Sequence, residues 1–146
     1  MANRLLVPAL IMLAVLPVAA QSKADAEAMV KKAIAAAKAD GKDKVLADIT
    51  RPGGPFTKGP LYVFVYDLGG KVLAHGQNAK MVGKDMLEAT DPDGVAYVKE
   101  RIAIAKTKGK GWQNYKFSDP ISKKVEDKTA YVELWNDLIF GCGVYR

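Results

Sequence analysis

The sequence predicts one α+β domain built on a five-stranded antiparallel sheet, and three observations carry that prediction. An alanine-rich stretch near the N-terminus repeats its apolar residues at helical spacing. A β-rich run, Gly59-Pro-Leu-Tyr-Val-Phe-Val-Tyr66, is followed by the glycine turn Asp67-Leu-Gly-Gly70 and a second apolar run that ends on His75, the only histidine. The last third of the chain holds three more β-rich runs separated by turn signals. At 146 residues the chain fits a single core.

Residues 1–20 read as a secretory signal peptide. Arg4 precedes an apolar run from Leu5 to Val18, and the small residues Val18, Ala19 and Ala20 stand just before Gln21. The run is shorter than the roughly 20 apolar residues a membrane span needs, and Pro8 and Pro17 interrupt it. An uncleaved anchor is the alternative. The expected mature domain, residues 21–146, has no segment that would span a bilayer, so it is expected in the periplasm or secreted. Lys and Arg number 22 against 16 Asp and Glu. The lysines are scattered among acids rather than clustered, which together with export argues against a nucleic-acid partner.

Ser22 with Asp25 three residues on forms a capping box, and Ala26, Met29, Val30, Ala33, Ile34 and Ala37 make one stripe, predicting a helix over 22–39 closed by Asp40-Gly41. Val45, Leu46 and Ile49 predict a further helical turn or two before Arg51-Pro-Gly-Gly-Pro55 forces a loop. Leu61, Val63 and Val65 then alternate with Tyr62, Phe64 and Tyr66, all bulky and largely apolar, as in a central strand covered on both faces. Residues 72–75 return antiparallel. A polar loop over 76–80 and a short helix over 84–89 are expected next. Asp91-Pro92 reads as an N-cap with proline at the first helical position, opening a helix whose stripe is Val95, Val98, Ile102 and Ala105 and whose end is Gly109. Strands over 111–117, 125–135 and 139–145, joined by turns at Asp119-Pro120 and Asn136-Asp137, complete a meander.

Most chemistry is excluded by what is missing. Gly76 to Lys84 has six residues between its glycines, and Asp85 follows the lysine, so it is not a phosphate-binding loop. One His and one Cys cannot make the usual zinc sets, and Asp91-Pro-Asp-Gly94 lacks the further ligands of a calcium loop. No cofactor is expected. Cys142 has no disulfide partner and, between Phe140 and Val144 at period two, reads as a small buried apolar residue. No nucleophile signature accompanies His75, so an enzyme is not the expectation.

The remaining candidates are aromatic and cationic residues on the expected strands: Phe64, Tyr66 and His75 on the first hairpin, Trp112 and Tyr115 on the third strand, Lys128 and Tyr131 on the fourth. Aromatic walls that exclude water, with one or two donors for an anion, suit a pocket for a small carboxylate. Lys128 and Tyr131 differ by three, so in a regular strand they point to opposite faces. Either a bulge lies between them or only one reaches the pocket.

The order of pieces resembles the single Cache domain of the second type, an extracytoplasmic PAS-like sensor module of bacterial chemoreceptors and sensor kinases. The resemblance rests on residues 62–75, on Val82-Gly-Lys-Asp85 with Asp91-Pro-Asp-Gly94, on Gly111-Trp-Gln-Asn-Tyr115, on Lys128-Thr-Ala-Tyr131 and on Phe140-Gly-Cys-Gly-Val-Tyr145. It implies a long N-terminal helix on one face of the sheet, and a ligand pocket on the other beneath shorter helices and loops. By matching position it places His75, Lys128 and Tyr131 in the pocket, with Trp112 and Tyr115 on ligand-side strands.

The expected function is therefore extracytoplasmic binding of a small organic molecule, a short carboxylate, with Lys128 supplying charge, Tyr131 and His75 hydrogen bonds, and the rings the walls. Because the chain stops at Arg146, a stand-alone protein is expected, its signal passing to a separate membrane-bound receptor or kinase. A structural or interaction module that docks or dimerises through the N-terminal helix is the alternative from another class. An enzyme using His75 as general base is the third.

Overall fold

The computed structural model describes residue 14 and residues 21–146. The signal peptide expected at 1–20 lies, but for residue 14, outside the described residues.

Helix α1 (Lys23–Asp40) begins where the capping box predicts. The Ser22 hydroxyl accepts the Asp25 N–H at 3.2 Å, and the Asp25 carboxylate takes the Ser22 N–H at 2.8 Å. Its buried stripe is Ala26, Val30, Ala33, Ile34 and Ala37. The predominance of alanine lets the helix sit close to the sheet. Gly41, at φ +93°, turns the chain directly into α2 (Lys42–Thr50), which buries Val45 and Ile49.

A two-stranded ribbon of β1 (Thr57–Lys58) and β2 (Leu61–Tyr62) leads into β3 (Phe64–Asp67) and β4 (Val72–His75). After α3 (Tyr97–Lys108) come β5 (Lys110–Ser118), β6 (Val125–Trp135) and β7 (Leu138–Tyr145). The five-stranded sheet runs β4-β3-β7-β6-β5, every neighbouring pair antiparallel. The architecture is thus the α+β, five-stranded antiparallel one that the sequence predicts. The expected strand over 61–66 is split at Val63, whose N–H turns to Phe56 O and whose carbonyl accepts from Gly76 N. It is covered on both faces as expected, but β7, not this run, occupies the middle of the sheet.

Two local expectations are corrected. Residues 84–89 are not helical; a 3-10 turn stands earlier, at Ala79–Met81. The segment instead runs along the outside of β4, with Val72 N donating to Lys84 O, Gly83 N to Val72 O and Met86 N to Gly70 O. Covering these edge groups outweighs local helix preference. Helix α3 likewise starts at Tyr97 rather than beside Asp91. The Asp91 carboxylate is committed elsewhere: Oδ1 accepts the N–H groups of Asp93 and Val95, and Oδ2 accepts that of Lys116 on β5. Asp91 ties this loop to the sheet instead of capping a helix.

Period-two alternation divides the core in two. Leu61, Val63, Val65, Phe140, Cys142 and Val144 pack beneath α1 and α2. Tyr62, Phe64, Tyr66, Tyr115, Ala130, Val132 and Ile139 face α3. Two β7 glycines open the α3 side: a Cβ on Gly141 would run into the Phe64 ring, and one on Gly143 would lie 2.6 Å from Lys128 Cε.

Candidate functional site

Beneath α3 the side chains of Tyr62, Phe64, Tyr66, His75, Tyr97, Arg101, Tyr115 and Phe117 enclose a cavity of about 10 Å³. That is room for about one water molecule. A roomier open groove of about 430 Å³ lies outside the sheet, lined by residues such as Pro60, Ile121 and Val144. No Lys, Arg or His lines it, whereas Arg101 and His75 line the small cavity.

Arg101 and Lys128 are each 1 % exposed, and among the described residues neither has a carboxylate within ion-pair distance. Arg101 hangs from the inward face of α3 and donates through Nε to Gln113 Oε1 at 3.0 Å. Gln113 is itself held by donating to Tyr97 O at 3.0 Å. The guanidinium carbon lies 4.4 Å from the Phe64 ring centre and 4.7 Å from that of Tyr66. Tyr97 and Tyr115 stack on each other 4.9 Å apart beside it.

Lys128 reaches the same cage from β6. Its ammonium donates to Tyr62 Oη at 2.9 Å, and its Nζ lies 4.2 Å from the Tyr62 ring centre and 4.9 Å from that of Tyr145. Tyr62 and Tyr145 share a hydrogen bond of 3.0 Å between hydroxyls, and Tyr145 donates to Ser118 O at 2.6 Å. Ring faces soften the burial of a cation, by about 2 kcal/mol where water is excluded, but do not replace a counter-charge. Burial, with Arg101 adding to it, holds the Lys128 ammonium down to about 7.

His75 closes the β4 end of the cage. Its Nδ1 accepts the N–H groups of Gln77 and Asn78 at 3.3 and 3.1 Å, which assigns the ring proton to Nε2. Burial, then Lys128 and Arg101, lower it to about 3, so the imidazole is neutral and presents an N–H, a donor rather than a base. Burial also pushes the Tyr115 phenol up to about 12, keeping its proton in place.

Of the residues singled out in the sequence, Phe64, Tyr66, His75 and Tyr115 line the cavity and Lys128 flanks it. Trp112 and Tyr131 are not brought there. The β6–β7 pairing is continuous from Lys128 to Trp135 with no bulge, so Tyr131 points to the α1 face. There its hydroxyl donates to Glu133 Oε2 at 2.6 Å and its ring lies 5.3 Å from Trp112, over which Lys23 Nζ sits at 4.3 Å. Sequence reasoning missed Tyr62, Tyr97, Arg101 and Phe117. Parity held the signal for two of them, since Tyr62 and Phe117 stand two residues from Phe64 and Tyr115. Arg101 was marked by a cation inside the Val98–Ile102–Ala105 stripe, four residues after Tyr97.

The family model described as a Cache domain matches residues 30–146. The chain is 35 % identical over 86 residues to the methyl-accepting chemotaxis protein McpP of Pseudomonas putida, a match over 58 % of this chain and 16 % of that protein. It is 37 % identical over 87 residues to the sensor histidine kinase MctS of Rhizobium johnstonii, over 58 % of this chain and 18 % of that one. It therefore spans less than a fifth of either relative's length. A solved structure described as the basis for carboxylic acid recognition by a Cache chemosensory domain superposes with a TM-score of 0.65 at 28 % identity, covering 82 % of this chain and 84 % of the other. A methyl-accepting chemotaxis protein from Vibrio parahaemolyticus shares the fold at a TM-score of 0.73 and 20 % identity, covering 84 % and 87 %.

Proposed function

This chain belongs to the Cache domain family, and from that premise we propose that it binds a short carboxylate in the cage beneath α3, outside the cytoplasm. The observation that carries the reading is the pair of buried cations, Arg101 and Lys128, without an acidic partner among the described residues. An uncompensated buried charge costs several kcal/mol, and an anion entering between the two returns part of that cost as affinity. Arg101 offers a planar fork to the carboxylate, Lys128 a point charge, and His75 Nε2–H a neutral donor. Phe64, Tyr66, Tyr97, Tyr115 and Phe117 exclude water. A cavity of about 10 Å³ favours a ligand of few atoms and requires the rings to part as it enters. The Cache chemosensory structure described as recognising carboxylic acid supports the same ligand class.

The reading extends to the cell: residues 1–20 direct export and are removed, and occupancy of the cage is relayed to a membrane-bound receptor or kinase. Chemoreceptor and sensor-kinase relatives support that role. No helix among the described residues is long and apolar enough to cross a membrane.

A thermal-shift screen of acetate, propionate, lactate and pyruvate tests the ligand. Saturation to 100 times Kd adds about 2.7 kcal/mol of stability, which for a chain of this size is several degrees in Tm. Acetamide and ethylamine, of similar size but without the negative charge, should leave Tm unchanged. If no carboxylate at millimolar concentration raises Tm, the assignment is wrong.

A further inference from the structure

We propose that Lys128 makes anion binding proton-linked: the carboxylate enters together with a proton that Lys128 takes up, so affinity declines as the medium turns alkaline. This rests on the carboxylate reading above and adds to it a pH response.

The geometry of the cage carries the inference. A lysine ammonium has three N–H donors. The hydrogen-bond acceptor found for Lys128 among the described residues is Tyr62 Oη, and the surroundings of its Nζ are the rings of Tyr62, Phe64, Tyr115, Phe117 and Tyr145. With one acceptor for its three donors and no carboxylate beside it, the ammonium is only partly compensated, since ring faces soften a buried charge without replacing a counter-ion. Arg101, which keeps its charge at any physiological pH, occupies the same cage and opposes a second cation. The other titratable groups around Lys128 do not restore the balance. They are His75 on β4, neutral; Tyr62 on β2, Tyr115 on β5 and Tyr145 on β7, all protonated phenols; Cys142 on β7, a protonated thiol; and Asp119 in the turn after β5, too far for an ion pair. Only an incoming anion reverses the local field. The hydrogen-bonded series Lys128, Tyr62, Tyr145 leads from the cage to a half-buried hydroxyl, a route by which Tyr62 gives its proton to the Lys128 amine, Tyr145 refills Tyr62 and solvent water refills Tyr145.

The direction of the lysine shift agrees. Ligand-free Lys128 titrates near 7, against an ordinary 10.5. A bound carboxylate returns it toward the ordinary value. Uptake per anion bound is then small on the acid side of neutrality and approaches one proton on the alkaline side, where Kd for acetate rises about tenfold per pH unit.

Isothermal titration with acetate at pH 6 and pH 8, in buffers of small and large ionisation enthalpy, reads the uptake directly. The enthalpy should depend on the buffer more strongly at pH 8 than at pH 6, and whatever binding Lys128→Arg, permanently charged, retains should carry no buffer dependence. Independently of any ligand, 13Cε-lysine NMR of the free protein should show one resonance, absent in Lys128→Arg, with a midpoint near pH 7. A Lys128 midpoint near pH 10 overturns the inference. So does acetate binding at pH 8 with equal enthalpy in both buffers, which leaves the carboxylate site standing. Buffer dependence that persists in Lys128→Arg reassigns the proton and also overturns it. If neither acetate nor any acid of the screen binds, the site assignment falls and the linkage with it.

Discussion

Replacing Lys128 by Met should stabilise the ligand-free protein near neutral pH while removing most of its response to acetate. Met keeps the unbranched stem that Gly143 accommodates and deletes the charge. With Lys128 near 7 in the folded protein and 10.5 unfolded, 1.36 kcal/mol per pKa unit gives on the order of 4 kcal/mol of folding penalty at pH 7. Against it stands the hydrogen bond to Tyr62, which a neutral amine would also make, worth about 1 kcal/mol. The net gain is about 3 kcal/mol, or a Tm rise of roughly ten degrees. The sign with pH follows from proton counts. Between about pH 7 and 10.5 the unfolded chain binds more protons at this site than the folded one, so wild-type stability rises with pH there. The penalty is present in full below pH 7 and gone near 10.5. The stability curves of wild type and Lys128→Met should therefore converge and cross near about pH 10, with the wild type ahead beyond. Urea denaturation at half-unit steps from pH 6 to 10 measures the convergence. A variant weaker than wild type at pH 6, by an amount that does not change up to pH 10, would mean that the ammonium is not penalised by its cage.

Three further outcomes are expected. Gly143→Ala should cost about 1–3 kcal/mol in denaturant melts and weaken acetate binding, because the new methyl displaces the Lys128 stem and presses on Thr129 O. Asp91→Ala should free the loop from β5, seen as faster amide exchange at Asp93, Val95 and Lys116 with α3 still protected. The wild-type Asp91 carboxyl is pulled up by burial but pulled down further by its three N–H donors, so its tether should persist until the pH falls below the ordinary carboxylate range. Cys142, fully buried with its thiol pushed up to about 12 by that burial, should resist a thiol reagent in the native protein and react once per chain in denaturant.

Where the sequence succeeded, the signal was local and periodic. The Ser22–Asp25 capping box, the alanine stripe and the alternation of residues 61–66 each concern neighbours along one element. Where it failed, distant backbone decided. The 84–89 segment gives up helix to cover the β4 edge, and Asp91 is drawn from a helix cap to the Lys116 N–H, 25 residues away. The site divides in the same way. Phe64, Tyr66, His75, Tyr115 and Lys128 were legible as pocket-type residues on strands. Tyr131 and Trp112 failed on parity, for the uninterrupted β6 register sends Tyr131 to the helix side together with its neighbour Trp112. Arg101 was hidden because a lone cation in an apolar helix stripe reads as a surface residue until the strands beneath α3 are known.

That parity has a consequence for how such a protein diversifies. Along β3, β6 and β7 each residue facing α3 is flanked by residues facing α1, so the two layers are interleaved in sequence yet physically separate. Exchanging Phe64 or Tyr66, or Lys128 beside them, alters the cavity beneath α3 without replacing any residue of the layer formed by Val63, Val65, Phe140, Cys142 and Val144. If the cage holds the proposed carboxylate, single changes at alternate positions would alter its preference with the α1 layer serving as a constant chassis. Conversely, variation at Trp112 or Tyr131 should bear on folding and the docking of α1 and leave the lining of the cavity beneath α3 as it was.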